Sequence, residues 1–115
     1  MKTNNVILDK SKVFALQIIK LYKKLIKSNE YILPKQLLKS GTSIGANARE
    51  AVRGQSKADF YAKMNIALKE CSETEYWLEL LYESDYIDKI IFDQLYFDCQ
   101  ELIRILVSIT KTQNS

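Results

Sequence analysis

Phe60, Met64, Ala67, Cys71, Thr74, Leu78 and Leu81 follow one another in alternating steps of four and three. Sustained over three heptads, that rhythm puts the series on one face of an α-helix, the seam through which the helices of a bundle interlock. Side chains of a strand change face at every residue, so a strand cannot use it. Phe92, Leu95, Cys99, Leu102, Leu106 and Ile109 repeat the seam and precede a polar tail expected to fray from Thr110. The turn between these helices is expected over Ser84 to Ile87, with Asp88 capping the second.

Two further helices are expected upstream. From Asp9 to Ser28, at 100° per residue, Phe14, Ala15, Ile18, Ile19, Leu21, Tyr22, Leu25 and Ile26 fill an apolar arc of about 160°. Lys20, Lys23, Lys24 and Lys27 occupy the opposite side. An arc that wide exceeds a two-stranded seam and has room to bury against a neighbouring subunit as well. Asn29 suits a left-handed stop, Tyr31-Ile32-Leu33 forms the link, and Pro34 fits the first turn of the next helix. There Leu37, Leu38, Gly41, Ile44, Gly45, Ala48, Ala51 and Val52 share one side, and Gln36, Lys39, Ser40, Ser43, Asn47 and Glu50 another. Each of Gly41 and Gly45 costs a helix roughly 1 kcal/mol relative to alanine. They either admit a second helix at close range or mark a flexible loop. Gly54 ends the helix, and Ser56 with Asp59 resembles a capping box opening the next.

Four amphipathic helices with short connections describe an all-α fold, an antiparallel up-down-up-down four-helix bundle, as a single domain over residues 1–115. Three glycines and one proline are too few for the turns of a sandwich or barrel. Folding a chain of this length buries about two-thirds of the surface its unfolded form exposes. No run of about 20 apolar residues spans a membrane, and Met1, Lys2, Thr3, Asn4 and Asn5 lead into Asp9 and Lys10 too soon for a secretory segment. Cys71 and Cys99 fall on core positions and read as small hydrophobes rather than a disulfide framework. A cytoplasmic location is expected.

Chemistry is bounded by one absence: the chain has no histidine. Serine or cysteine nucleophiles lose their usual base, Glu-x-x-His di-iron pairs cannot be written, and zinc sites of Cys and His lack ligands. The glycines match neither phosphate-loop nor dinucleotide spacing. Glu70 and Glu73, with Glu50 on the preceding helix, leave two readings. One is an all-carboxylate metal site; the other is a set of acceptors for Ser43, Asn47, Lys63 or Lys69, which a carboxylate between helices needs. No cofactor is expected, and no enzymatic activity.

Charge is unevenly placed. Residues 1–63 hold 13 Lys/Arg against 4 Asp/Glu, and residues 64–115 hold 4 against 10. The asymmetry suits an anionic partner, contacts between copies, or oppositely charged helices lying side by side. Lys20, Lys23, Lys24, Lys27, Arg49, Arg53, Lys57 and Lys63 are the candidates for contact with a nucleic-acid backbone, with Tyr22, Tyr31 and Tyr61 as stacking surfaces. The same cations also read as a solvated helix face.

One segment is more specific. Ser40-Gly-Thr-Ser-Ile-Gly-Ala-Asn-Ala-Arg-Glu-Ala51 is followed by Ser56, Asp59-Phe60, Lys63, Ile66-Ala67-Leu68-Lys69-Glu70 and Glu73-Thr74-Glu75-Tyr76-Trp77-Leu78. With Lys20-Leu21-Tyr22 in helix 1, this resembles the four-helix-bundle proteins encoded in 23S rRNA intervening sequences, over nearly the whole chain. The resemblance implies a homopentameric ring and no known catalysis. It also implies kinship with the accessory protein of diversity-generating retroelements, a basic pentamer that binds nucleic acid and a reverse transcriptase. The motif positions it carries over are Ser43, Asn47, Glu50, Phe60, Lys69, Glu70, Glu73 and Trp77, expected to form a polar and aromatic packing network. With a pI near 8.8 the chain is less basic than the retroelement branch. The expected function is therefore a homo-oligomer that binds RNA or DNA through helices 1 and 2. The alternative is a scaffold for another protein, without a nucleic-acid role.

Overall fold

The computed structural model describes residues 2–114; Met1 and Ser115, the ends of the expected domain, lie outside the described residues. Four helices follow in order: α1 (Lys2–Leu25), α2 (Ile32–Val52), α3 (Lys57–Glu83) and α4 (Lys89–Thr110). Each packs against the next and α4 returns to α1, so α1 and α3 stand diagonally opposite. This is the up-down-up-down bundle, 46 × 21 × 19 Å in extent.

α1 begins seven residues before the expected Asp9. Ile7 and Ser11 are fully buried and continue the stripe of Phe14, Ile18, Leu21 and Leu25 toward the N-terminus. A serine in that stripe conceals it from a hydrophobicity pattern, while tertiary burial holds the extra turns in place. A short 3₁₀ turn, Ile26–Ser28, follows. Asn29 then stops the chain in the left-handed region (φ 62°), as expected, its N–H donating to Ile26 O.

Tyr31 stands at the N-cap position of α2 without a side-chain cap, and Pro34 is buried in the first turn, so the link is shorter than Tyr31 to Leu33. Gly41 and Gly45 lie within the helix, not in a loop. A Cβ on Gly41 would sit 3.0 Å from Ile18 Cγ1, and one on Gly45 would sit 3.1 Å from Ser11 Oγ. These glycines set how closely α1 approaches. Ser40, expected on the polar side, is instead buried, its hydroxyl 3.0 Å from that of buried Thr74 on α3. Each hydroxyl also reaches a carbonyl of its own helix, Leu37 and Glu70. A buried polar pair satisfied in this way fixes the register of α2 against α3 without leaving an orphan donor.

α3 opens with the cap read from the sequence, Ser56 Oγ accepting from Asp59 N at 3.0 Å. Its seam runs as expected from Met64 to Leu81. At the first turn, however, Tyr61 takes the buried place and Phe60 packs half-buried beside it. Asp85 turns the chain (φ 66°), and Asp88 caps α4 by accepting from Ile91 N at 2.9 Å. The C-terminal tail does not fray at Thr110. It forms a 3₁₀ turn, Lys111–Asn114, tied to α3 by Tyr61 Oη–Thr112 Oγ1 at 2.6 Å and Asn65 Nδ2–Gln113 Oε1 at 3.3 Å.

One hydrophobic core unites all four helices. Cys71 and Cys99 are buried in it as free thiols, and Cys99 Sγ donates to Cys71 O at 3.4 Å. Contact with the Cys71 thiol, and then burial, raises the Cys99 thiol far above its usual range. A thiol so placed behaves as a hydrophobe rather than a nucleophile.

Candidate nucleic-acid interface

Close approach of α1 and α2 leaves a floor of small residues, and beside it an open groove of about 1260 Å³. Ala15, Gly45 and Ala46 form the floor. Its walls carry Lys12 from α1, Arg49 from α2, Arg53 from the cap that ends α2, and Lys63 from α3. Arg49 lies in the last turn of α2 and Arg53 caps its C-terminus, so both enter the groove at the same end of the helix. Lys63 reaches the groove because Ser56 caps α3 two residues after Gly54, folding its first turns back beside the end of α2. Two carboxylates, Glu50 and Asp59, share the lining. Asp59 is turned inward to the α2–α3 connection, where a Cβ on Gly54 would lie 2.6 Å from its Oδ2. The absent Cβ of Gly54 makes that room.

Of the eight candidate cations, the fold brings together Arg49, Arg53 and Lys63, and it adds Lys12. Lys57 is exposed at the start of α3, outside the groove lining. Lys20, Lys23 and Lys24 are exposed on the other half of α1, and Lys27 on the 3₁₀ turn that follows it. From Lys12 to Lys20 is about 12 Å along the helix axis, so these four form a separate surface. Charge patterning does not single out Lys12, which belongs to no run of cations. Its alignment with Leu8 and Ala15, which share the groove, is the signal the sequence offers.

The motif positions spread along α2 and α3 instead of converging. Ser43 Oγ donates to Lys39 O at 2.6 Å, and Asn47 Nδ2 donates to Ser43 O at 2.8 Å, both within α2. Glu50 is exposed at the groove. Phe60 and Trp77 pack against the core edge, meeting Tyr61 and Tyr76 edge-on at 5.2 and 5.3 Å. Lys69 and Glu73 are exposed and Glu70 is half-buried. Burial, and then the neighbouring Glu73, hold the Glu70 carboxyl above its ordinary range, while Lys39 and Lys69 pull the other way. The hydroxyl pair that joins α2 to α3, Ser40 and Thr74, falls outside this set. Among the described residues, no three carboxylates or thiols converge where a metal ion would fit.

The family model described as 23S rRNA-intervening sequence protein matches residues 3–108. The chain belongs to this family. A crystal structure of a protein of unknown function from the S23 ribosomal protein family of Bacteroides thetaiotaomicron VPI-5482 is 51% identical to it. That likeness covers 95% of this chain and 98% of the other, with a TM-score of 0.92. No curated protein matches the chain. The match to the intervening-sequence family runs through all four helices and includes the Ser40–Ala51 segment, whose Gly45 belongs to the floor of the groove. Among the described residues, no helix of this family member is long and apolar enough to cross a membrane.

Proposed function

We propose that this intervening-sequence protein is a non-enzymatic homo-oligomer, pentameric as its family resemblance implies, that binds RNA or DNA through the α1–α2 groove. The carrying observation is the convergence of Lys12, Arg49, Arg53 and Lys63, from three helices, on one groove with a small-residue floor. Phosphates need clustered cations and an approach unobstructed by bulky side chains, and this groove has both. A lone bundle offers few contacts. Copies arranged around a ring present the groove repeatedly to one polyanion, and phosphate contacts add. Contacts of this kind read the backbone, so binding is expected to be indifferent to sequence.

The test is binding to single- and double-stranded nucleic acid across a salt series. Affinity is expected to fall steeply with salt, and each of Lys12→Ala, Arg49→Ala, Arg53→Ala and Lys63→Ala to flatten the slope by about one unit per lost phosphate contact. A complex that persists at about 0.5 M salt and ignores these substitutions overturns the electrostatic reading. Exposed apolar side chains, Ile32 at 80%, Ile90 at 79% and Phe97 at 62%, favour the second reading, a scaffold for another polypeptide. Under that reading, a partner captured from lysate stays bound after nuclease treatment.

A further inference from the structure

Two outward-facing stripes of the bundle have the same spacing and opposite chemistry. Along α1 and the 3₁₀ turn that follows it, Leu16, Lys20, Lys23 and Lys27 follow in steps of four, three and four; on α3, Ile66, Glu70, Glu73 and Trp77 do the same. Leu16 is 57% exposed and Ile66 39%, large values for apolar residues on a helix that also feeds the core. The three lysines and Glu73 are exposed, and Glu70 and Trp77 are half-buried. The ion pairs among the described residues are Lys10–Glu101 and Lys89–Asp93, so neither stripe is neutralised by a salt bridge of its own bundle. Near Glu70, only Lys39 and Lys69 act as cations.

We infer that the Leu16–Lys27 stripe, on α1 and its closing 3₁₀ turn, docks on the Ile66–Trp77 stripe of α3 in a second copy of this chain. Laid side by side in parallel, the stripes place Leu16 on Ile66, Lys20 on Glu70, Lys23 on Glu73 and Lys27 on the ring of Trp77. The result is an apolar contact, two ion pairs and a cation–π contact in consecutive turns. Three geometric facts support this pairing. α1 and α3 are diagonal in the bundle, so the stripes face away from each other and cannot pair within one chain. Both helices run in the same direction, so copies related by rotation about an axis along the bundle bring them together in parallel. Finally, the two surfaces differ, which makes the contact head-to-tail, and such contacts generate a closed ring or an open filament rather than a two-fold dimer. The inference rests on the homo-oligomeric part of the proposed function. It divides the cations between two roles, the α1 lysines joining copies and the groove cations meeting the polyanion.

The experiment is mass by light scattering, with circular dichroism to verify helix content. Wild-type protein is expected at a multiple of 13.4 kDa. Lys20→Glu with Lys23→Glu, and separately Glu70→Lys with Glu73→Lys, are expected to reduce it to a single chain; all four changes together restore the assembly. Arg49→Ala with Arg53→Ala leaves the mass unchanged. A monomeric wild type overturns the homo-oligomeric reading itself. An assembled wild type whose mass survives both double substitutions overturns this contact alone, as does failure of the fourfold swap to restore it. If the half-buried Glu70 position unfolds the protein, Lys23→Glu and Glu73→Lys carry the same test, because both positions are exposed.

Discussion

Where α1 meets α2, Gly41 and Gly45 let the backbones close until Ile18 and Ser11 fill the space a Cβ would take. Where α3 meets α4, rings lie in the contact: Phe92 of α4 stacks on Tyr82 of α3 at 4.6 Å and on Tyr96 of its own helix at 4.9 Å, and Tyr96 Oη donates to Glu79 at 2.9 Å. The contrast is also electrostatic. The close pair leaves a shallow floor over which long cationic side chains converge. The ring-lined pair holds carboxyl groups partly out of water. Small residues at one contact and rings at the other thus accompany opposite charge on the two sides of the bundle.

Breaking the close side is expected to have the largest effect. Gly41→Leu forces an isobutyl group against Ile18 in a contact with no spare volume, and a destabilisation of about 3 kcal/mol is expected, read from denaturant unfolding. A loss below about 1 kcal/mol would mean that α1 does not depend on that approach. On the ring-lined side, Phe92→Ala removes the middle of the aromatic stack. Because Phe92 is only half-buried, about 2 kcal/mol is expected rather than the larger cost of a fully buried ring. If Phe92→Ala proves the more damaging of the two, the ranking of the two interfaces is reversed.

That ranking shows what a sequence discloses and what it withholds. The seams of α3 and α4 were legible because periodicity over three heptads is a local property, and so were Ser56, Asp88 and Asn29, whose caps bond within a few residues. The first turns of α1 were not. Ser11 occupies a core position opposite Gly45, and a hydroxyl there reads as surface until the neighbouring helix is known. Ser40 misled for the same reason, since its partner Thr74 lies 34 residues away. The groove was half legible: Arg49 and Arg53 are neighbours in sequence at the end of α2, but Lys12 joins them only through the α1–α2 crossing. The separation of the Lys20–Lys27 run from the groove likewise follows from the antiparallel course of the two helices, not from the count of charges.

The smallest expected effect concerns pH and sharpens the electrostatic side of the comparison. Glu70, Glu75 and Asp98, all on α3 and α4, are held above the ordinary carboxylate range, chiefly by burial and next by Glu73, Glu79 and Glu101 respectively. Lys39 and Lys69 oppose the shift at Glu70, a hydrogen bond from Gln100 at Glu75, and Lys10 at Asp98. A carboxyl with a raised folded pKa binds more proton folded than unfolded, so its stabilising contribution is complete below the unfolded value, about 4, and disappears as pH climbs through the folded one. Added protons also increase the net positive charge of the whole chain, which works against stability. The informative quantity is therefore the difference in Tm between about pH 5 and pH 7, compared across variants. Glu75→Gln removes one of the three groups without adding charge at pH 5, and it is expected to shift that difference toward greater relative stability at pH 7. Gln36→Ala, at an exposed position of α2 that carries no titratable group, is expected to leave it unchanged. Equal responses from the two variants would mean that the acidity of α3 and α4 lies in water, and that the rings do not desolvate it.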